Sequence, residues 1–351
     1  MADFLGNAYP RLAERLHKVP LAVLPTPVEN TGFETDAGPR SIAVKRDDVS
    51  NPRYGGNKIR KLEYIFQRAA ERGARRIATF GAVGSNHALA TAIFAAGCGF
   101  ACTCFLGPQR RTPGIAKTLN MHRQIGTEIV RFGGSIDRLA TLRRYLQGRQ
   151  AWVVPLGGSS WLGAVGFVNA GLELASQIDN GELAVPDRVY IANGTMGSSV
   201  GLALGLALAG LPIELHAVRV VDDSVANPNA FERLLGKTAM MLRRADASIP
   251  ADLTDRTRVR WRDEFLAGGY AAADDTTIRA VAFASEKLAL ALETTYTGKA
   301  MAALLHDLAS PEYDGGNYLF WNTFNSRPLP VTAGPPESPD NIPEEFMTYF
   351  D

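Results

Sequence analysis

The sequence predicts an α/β protein in two domains, with mostly parallel sheets covered by helices on both faces. Three observations carry that expectation. Short apolar stretches alternate with longer segments of helical period, the pattern of repeated strand–helix–strand units. The 351 residues correspond to about two domains at roughly 150 residues each. With 46% hydrophobic and 21% charged residues, the composition is that of an ordinary globular chain, which excludes wholesale disorder, collagen-like repetition and coiled coil.

The elements follow in order from the apolar pattern. Strands are expected at Ser41–Lys45, Arg76–Phe80, Ala101–Leu106, Thr127–Phe132, Trp152–Pro155, Arg188–Ala192, Glu214–Val221 and Asn317–Trp321. Helices are expected between them, at Lys61–Arg72, Ala88–Ala96, Ile136–Gln147, Gly163–Asp179, Ser199–Ala209, Asp274–Ala291 and Lys299–Leu308. The Pro-rich stretch Pro328–Pro343 reads as an extended surface tail. Gly-rich turns at Gly55-Gly56 and Gly157-Gly158 bracket a small inserted α/β domain, 57–162, within a larger one made of 1–56 and 163–351.

Charge and cysteine content narrow the partners. Lys plus Arg number 37 against 36 Asp plus Glu, so no basic surplus exists for nucleic acid or an anionic membrane surface. A small ligand is the expected partner. Arg11, Glu14 and Arg15 interrupt the N-terminal region where a secretory signal needs an apolar run, and Pro212 breaks the tract Leu202–Leu211 before it spans a bilayer. A cytoplasmic protein is expected. Cys98, Cys102 and Cys104 lack the paired spacing of a zinc site and crowd a buried strand, so neither a disulfide nor a metal is expected.

Three loops carry candidate chemistry. Asn193–Gly201, Asn-Gly-Thr-Met-Gly-Ser-Ser-Val-Gly, lies between an apolar strand and a small-residue helix. Gly194 and Gly197 permit a tight turn, and Ser198 and Ser199 add hydroxyls at the positive helix end, a setting for a phosphate; alternatively the loop is a Gly-rich helix start with no ligand. The triphosphate version of such a loop ends in Gly-Lys-Ser or Gly-Lys-Thr, and this one has no lysine. Arg53-Tyr54-Gly55-Gly56-Asn57-Lys58 places a lysine at a helix start beside Arg60 and Lys61, where it should lose its proton readily and form a Schiff base. Alternatively it is a solvated basic first turn. In Gly84-Ser85-Asn86-His87, Ser85 is either a helix cap or a receiver for a substrate carboxylate, and His87 adds a group titrating near neutrality.

Together these loops resemble the pyridoxal-phosphate enzymes of the tryptophan-synthase-β fold (fold type II), and within it the D-cysteine desulfhydrase and 1-aminocyclopropane-1-carboxylate deaminase group. The matching stretches are Leu24-Pro25-Thr26-Pro27, Lys45-Arg46-Asp47-Asp48, Gly55–Glu63, Ser85-Asn86-His87, Gly157-Gly158-Ser159 and Tyr296–Met301, which span almost the whole chain. The resemblance implies that Lys58 holds the cofactor covalently and moves the α-proton. It implies that Asn86 bonds the cofactor's phenolic oxygen, that Gly194, Thr195, Met196, Gly197 and Ser198 cradle its phosphate, and that Thr323 faces its ring nitrogen. Ser85 and its neighbouring amides would receive the substrate carboxylate, and Tyr270 and Tyr296 would flank the substrate and assist proton transfer. His87, Gly158 and Trp161 complete the expected substrate pocket. A homodimer is expected from the resemblance and from the frequency of two-fold assemblies.

Within the group, His87 stands where deaminases carry glutamine and Thr297 where they carry glutamate, which favours the desulfhydrase branch. The expected reaction is α,β-elimination from a β-substituted, D-cysteine-like amino acid to a 2-oxo acid and ammonia. The alternatives are the cyclopropane deaminase reaction and a non-catalytic protein that binds pyridoxal phosphate or another small ligand. Departures from the group's pattern at Thr323-Phe324-Asn325 and Ser160-Trp161 leave the substrate open, with Phe324 and Trp161 expected to reshape the pocket.

Overall fold

The computed structural model describes residues 3–35, 38–112, 114–133, 138–313, 315–330 and 342–350. Two sheets organise them. The larger has six strands in the order β1 (Val28–Thr35), β2 (Gly38–Lys45), β10 (Tyr318–Trp321), β7 (Arg188–Asn193), β8 (Glu214–Arg219) and β9 (Val259–Arg262). Only the β1–β2 edge pair is antiparallel. The smaller sheet is wholly parallel, in the order β5 (Glu128–Arg131), β4 (Ala101–Gly107), β3 (Arg76–Ala82) and β6 (Ala151–Val153).

Both sheets are covered on both faces, as parallel sheets must be. Along β7, Val189 and Ile191 join one core with helices α7 (Trp161–Asp179), α8 (Gly197–Leu208) and α9 (Pro228–Ala245), while Tyr190 and Ala192 join the opposite core with α10 (Asp275–Leu288) and α11 (Thr297–Leu308). This is the two-residue period of a strand read out as two cores. The small sheet packs α3 (Lys58–Glu71), α4 (Asn86–Gly97) and α5 (Ile115–Gln124) on one side. On the other, Phe105 and Val130 meet Leu142, Tyr145 and Leu146 of α6 (Arg138–Leu146).

The expected strands and helices are present, with shifted ends. Helix α3 begins at Lys58 rather than Lys61, and β6 ends at Val153, before Pro155. Residues 136 and 137 of the expected Ile136–Gln147 helix, and 331–341 of the Pro-rich tail, lie outside the described residues. Past that stretch, Ile342 and Phe346 are buried against the core of the small sheet. The sequence reading did not anticipate β1, β9, α5, α9 or the short N-terminal helices α1 (Phe4–Ala8) and α2 (Pro10–Ala13). β9, Val-Arg-Trp-Arg, has only two apolar residues, whereas α9 buries Phe231, Leu235, Ala239 and Leu242 at helical spacing, a period present in the sequence that the reading passed over.

Two features of the fold set the position of the functional loops. Helices α7 and α8 cross at backbone contact: a Cβ built on Gly171 would lie 2.7 Å from the Gly205 Cα, and one on Gly201 would lie 2.1 Å from the Ala164 carbonyl oxygen. The glycines of α8 therefore serve this crossing, which fixes where the helix starts. Beneath α3, Arg60 bonds Asp47 at 2.7 Å and Glu173 at 2.8 Å, and Lys45 bonds Glu173 at 2.6 Å. The Trp321 indole N–H donates to Asp47 at 2.9 Å. This buried cluster ties β2, α3, α7 and β10 together, and charges of both signs balance within it. Burial pushes the Glu173 carboxyl up, yet Arg60 and Lys45 overcome that and hold it down at about 2.

Candidate active site

One cavity of about 520 Å³ lies where the loops after the strands of both sheets meet. That is the expected place for a ligand in an open α/β sheet. Its lining includes Lys58, Ser85, Asn86, His87, Gly194, Thr195, Met196, Ser198, Tyr270, Tyr296 and Thr323. Residues spread over more than 260 positions of sequence are thus brought to one space.

Lys58 is the first residue of α3 and half-buried. Burial lowers its pKa from the ordinary 10.5 to about 8, with Glu293 pulling in the opposite direction. This corrects the expected cause. Arg60 points away into the ion-pair cluster, so desolvation rather than a basic first turn loosens the Lys58 proton. Lys61, one helical turn on, does share the cavity; its Nζ donates to the Gly157 carbonyl at 3.1 Å and approaches Ser159 Oγ at 3.4 Å. Burial, then the charge of Lys58, pushes its pKa well down.

The start of α8 has the form of an anion cradle. Met196 takes a left-handed conformation at φ 66° and its side chain does not cap the helix, so of the first-turn amides those of Ser198 and Ser199 remain open as donors. Thr195 Oγ1 and Ser159 Oγ lie 2.7 Å apart, and Ser159 Oγ accepts the Gly197 N–H at 3.1 Å. Side chains at the glycines would close this space. A Cβ on Gly157 would fall 1.9 Å from Thr195 Oγ1, and one on Gly197 would fall 2.6 Å from Ser159 Oγ and 3.1 Å from Lys61 Nζ. Asn57 Nδ2 donates to Ser198 Oγ at 2.9 Å, joining the lysine-bearing turn to the cradle. Asn193, also in the lining, keeps a buried Nδ2 without a partner among the described residues.

Ser85 does cap α4, accepting the Ala88 N–H at 3.3 Å, and it lines the cavity as well. Asn86 opens the same helix. His87 departs from expectation: buried, with Nε2 2.9 Å from Thr79 Oγ1, it has a pKa pushed well below 6.5 by burial and by the charges of Lys58 and Lys61. It is a neutral wall, not a titrating group near neutrality. Tyr296 Oη donates to Tyr270 Oη at 3.1 Å with the rings at 75°. Burial raises both hydroxyl pKa values, so both stay protonated near neutrality.

Three expected residues are placed outside the lining. Gly197 lies against Ser159, and a Cβ built on Gly158, whose φ is +66°, would lie 3.5 Å from both the His87 ring and the Lys61 side chain. Trp161 lines a separate depression with Trp152, Arg68 and Arg72 and packs against the core around α7 and α8. Phe324 does line the cavity. Lys61, Asn57 and Glu293 are lining residues that the sequence reading did not assign. Lys61 carried a usable signal, sitting three residues after Lys58 on one helix face. Glu293 carried none: it accepts the backbone N–H groups of Thr295, Tyr296 and Thr297 at 2.7, 2.9 and 2.9 Å, a loop geometry without a spacing signature.

A half-buried amine of lowered pKa, a helix start with open amides and paired phenols share one cavity, a set suited to a phosphorylated carbonyl cofactor. The donor set and the glycine-bounded space fit pyridoxal phosphate. The chain belongs to the pyridoxal-phosphate dependent enzyme family, whose sequence profile matches residues 19–323. It is 34% identical over 319 residues to D-cysteine desulfhydrase from Salmonella newport (strain SL254), covering 88% of this chain and 94% of that protein. The Salmonella heidelberg (strain SL476) protein of the same name is equally similar. Among solved structures, an ACC deaminase homologue superposes with a TM-score of 0.73 at 24% identity, covering 92% of this chain and 95% of the other. A hydrogen sulfide-producing enzyme from Fusobacterium nucleatum superposes at 0.59 with 15% identity, covering 86% and 85%; both show a shared fold. Together these make the chain a pyridoxal-phosphate-dependent lyase with the tryptophan-synthase-β fold.

Proposed function

We propose that this lyase catalyses α,β-elimination from a small β-substituted amino acid of the D-cysteine type, giving a 2-oxo acid, ammonia and the released substituent. The single observation that carries this reading is the shared cavity of Lys58, the α8 cradle and the Tyr270–Tyr296 pair. Lys58 would hold the cofactor, with Asn86 at its phenolic oxygen and Thr323 at its ring nitrogen. Gly194, Thr195, Met196, Gly197, Ser198 and Lys61 would surround its phosphate. When bound, the cofactor supplies an electron sink for the charge left at Cα.

The side chains do the rest. Lys58 Nζ, once free, takes the α-proton, and its lowered pKa suits that exchange near neutral pH. Ser85 and the adjoining amides orient the substrate carboxylate, which fixes the angle of the Cα–H bond. Tyr270 and Tyr296, protonated near neutrality, present an O–H to the departing β-substituent. As the Cβ–substituent bond breaks, its electron pair leaves with the substituent, which takes up that proton. Water then completes release of the 2-oxo acid and ammonia.

Turnover of D-cysteine, L-cysteine, D-serine, 3-chloro-D-alanine and the cyclopropane amino acid tests the reading. Fastest elimination from a D-cysteine-type substrate supports it. Fastest ring opening assigns the deaminase reaction instead, and no keto acid from any of them leaves a binding protein. We further propose that residues 57–162 form the smaller, inserted domain and that the enzyme is a cytoplasmic homodimer. Three free thiols, Cys98, Cys102 and Cys104, are in keeping with a reducing compartment. Equilibrium sedimentation and cell fractionation test the last two points.

A further inference from the structure

Lys299 lies on the first turn of α11, three residues after Tyr296, and is fully buried outside the cavity lining. Its ammonium donates to two backbone carbonyls, Leu266 O at 2.7 Å and Gly269 O at 2.8 Å. These carbonyls bracket an unusual segment. Ala267, Gly268 and Gly269 have φ of 54°, 81° and 121°, and Ala271 follows Tyr270 with φ 56°. Two alanines in the left-handed region are disfavoured on their own, so the surroundings must hold them there.

Burying an ammonium is expensive unless it is paired. Among the described residues no carboxylate is in ion-pair contact with Lys299; Glu293, Asp274 and Asp222 act on it only through their fields, and burial lowers its pKa to about 8. The hydrogen bonds to Leu266 and Gly269 are what this buried charge makes. A charged donor forms stronger bonds to carbonyls than a neutral one, which suits a lysine to pinning a strained turn.

We propose that Lys299 is a positioning residue: its bonds to Leu266 and Gly269 hold the 266–271 turn so that Tyr270 Oη meets Tyr296 Oη in the cavity. One helix start thereby sets both phenols, Tyr296 directly and Tyr270 through Lys299. The catalytic consequence rests on the role given above to the tyrosine pair, whereas the clamp itself does not.

The test combines amide hydrogen exchange with a double-variant cycle on the holoenzyme. In Lys299→Met, exchange within 266–271 should quicken at least tenfold while α7 and α8 keep their protection. Its kcat should fall about as far as that of Tyr270→Phe, with KM changed less, and the double variant should be no slower than Tyr270→Phe alone. Lys299→Gln, which keeps a donor, should recover part of both readouts and serves if the Met variant does not fold. Unchanged exchange in 266–271 overturns the clamp, and so do losses that multiply in the double variant. Full activity in Tyr270→Phe together with loosened exchange in Lys299→Met supports the clamp and overturns the role of Tyr270.

Discussion

At the scale of the residue, the proposed function rests on an amine whose surroundings lower its pKa. Lys58 in cofactor-free protein has a pKa of about 8 because it is desolvated, so the neutral amine fraction rises with pH through that value. The rate of reconstitution with pyridoxal phosphate, followed by visible absorbance, should climb between pH 7 and 8.5 and then level. A rise centred near 10.5 would mean that burial does not tune this lysine. Lys58→Ala should lose the borohydride-fixed cofactor and all lyase activity. Pocket shape is also a residue-scale question: Phe324 lines the cavity whereas Trp161 lies in a separate depression. Phe324→Gly should shift kcat/KM toward bulkier β-substituents, and Trp161→Phe should leave the preference unchanged.

At the scale of the element, α3 carries Lys58 at its first residue and is anchored by Arg60, two positions on. Arg60 sits between Asp47 and Glu173, with Lys45 completing the charge balance. Glu173→Gln leaves Arg60 and Lys45 short of a negative partner in a dry interior. The expected cost is about 3–5 kcal/mol, measurable in denaturant unfolding, with weakened cofactor binding because the helix start loses its anchor. The pH dependence has a definite sign. Glu173 is held at about 2 against an ordinary 4.5, so its stabilising contribution is present above about 4.5 and is lost as pH falls toward 2.

At the scale of the whole molecule, the cavity joins the two sheets. Asn57 reaches Ser198, and Lys61 reaches the Gly157 turn, so the lysine-bearing helix and the cradle meet through few direct bonds. A cofactor bound to both should stiffen the junction and raise the unfolding midpoint. At a concentration about 100 times its Kd, linkage predicts roughly 2.7 kcal/mol of added stability. Differential scanning calorimetry with and without pyridoxal phosphate measures it, and an unmoved Tm would mean that the cofactor does not bind the folded protein in preference to the unfolded chain.

Much of this was legible in the chain itself. The apolar runs Arg76–Phe80, Ala101–Leu106 and Arg188–Ala192 predict buried parallel strands because a strand covered on both faces must be apolar throughout. The loops Asn57-Lys58, Ser85-Asn86 and Gly194–Ser198 predict the site because cofactor chemistry needs an amine, hydroxyls and a tight turn at fixed local spacing. What tertiary structure alone decided concerns groups distant in sequence. That Arg60 turns inward to Glu173, that His87 is held neutral by burial first and then by Lys58 and Lys61, that Trp161 lines a depression apart from the cavity, and that Lys299 bonds the turn before Tyr270 all depend on burial and on the through-space field. Local sequence sets backbone preference and periodicity, but desolvation and charge proximity exist only once the chain has closed on itself.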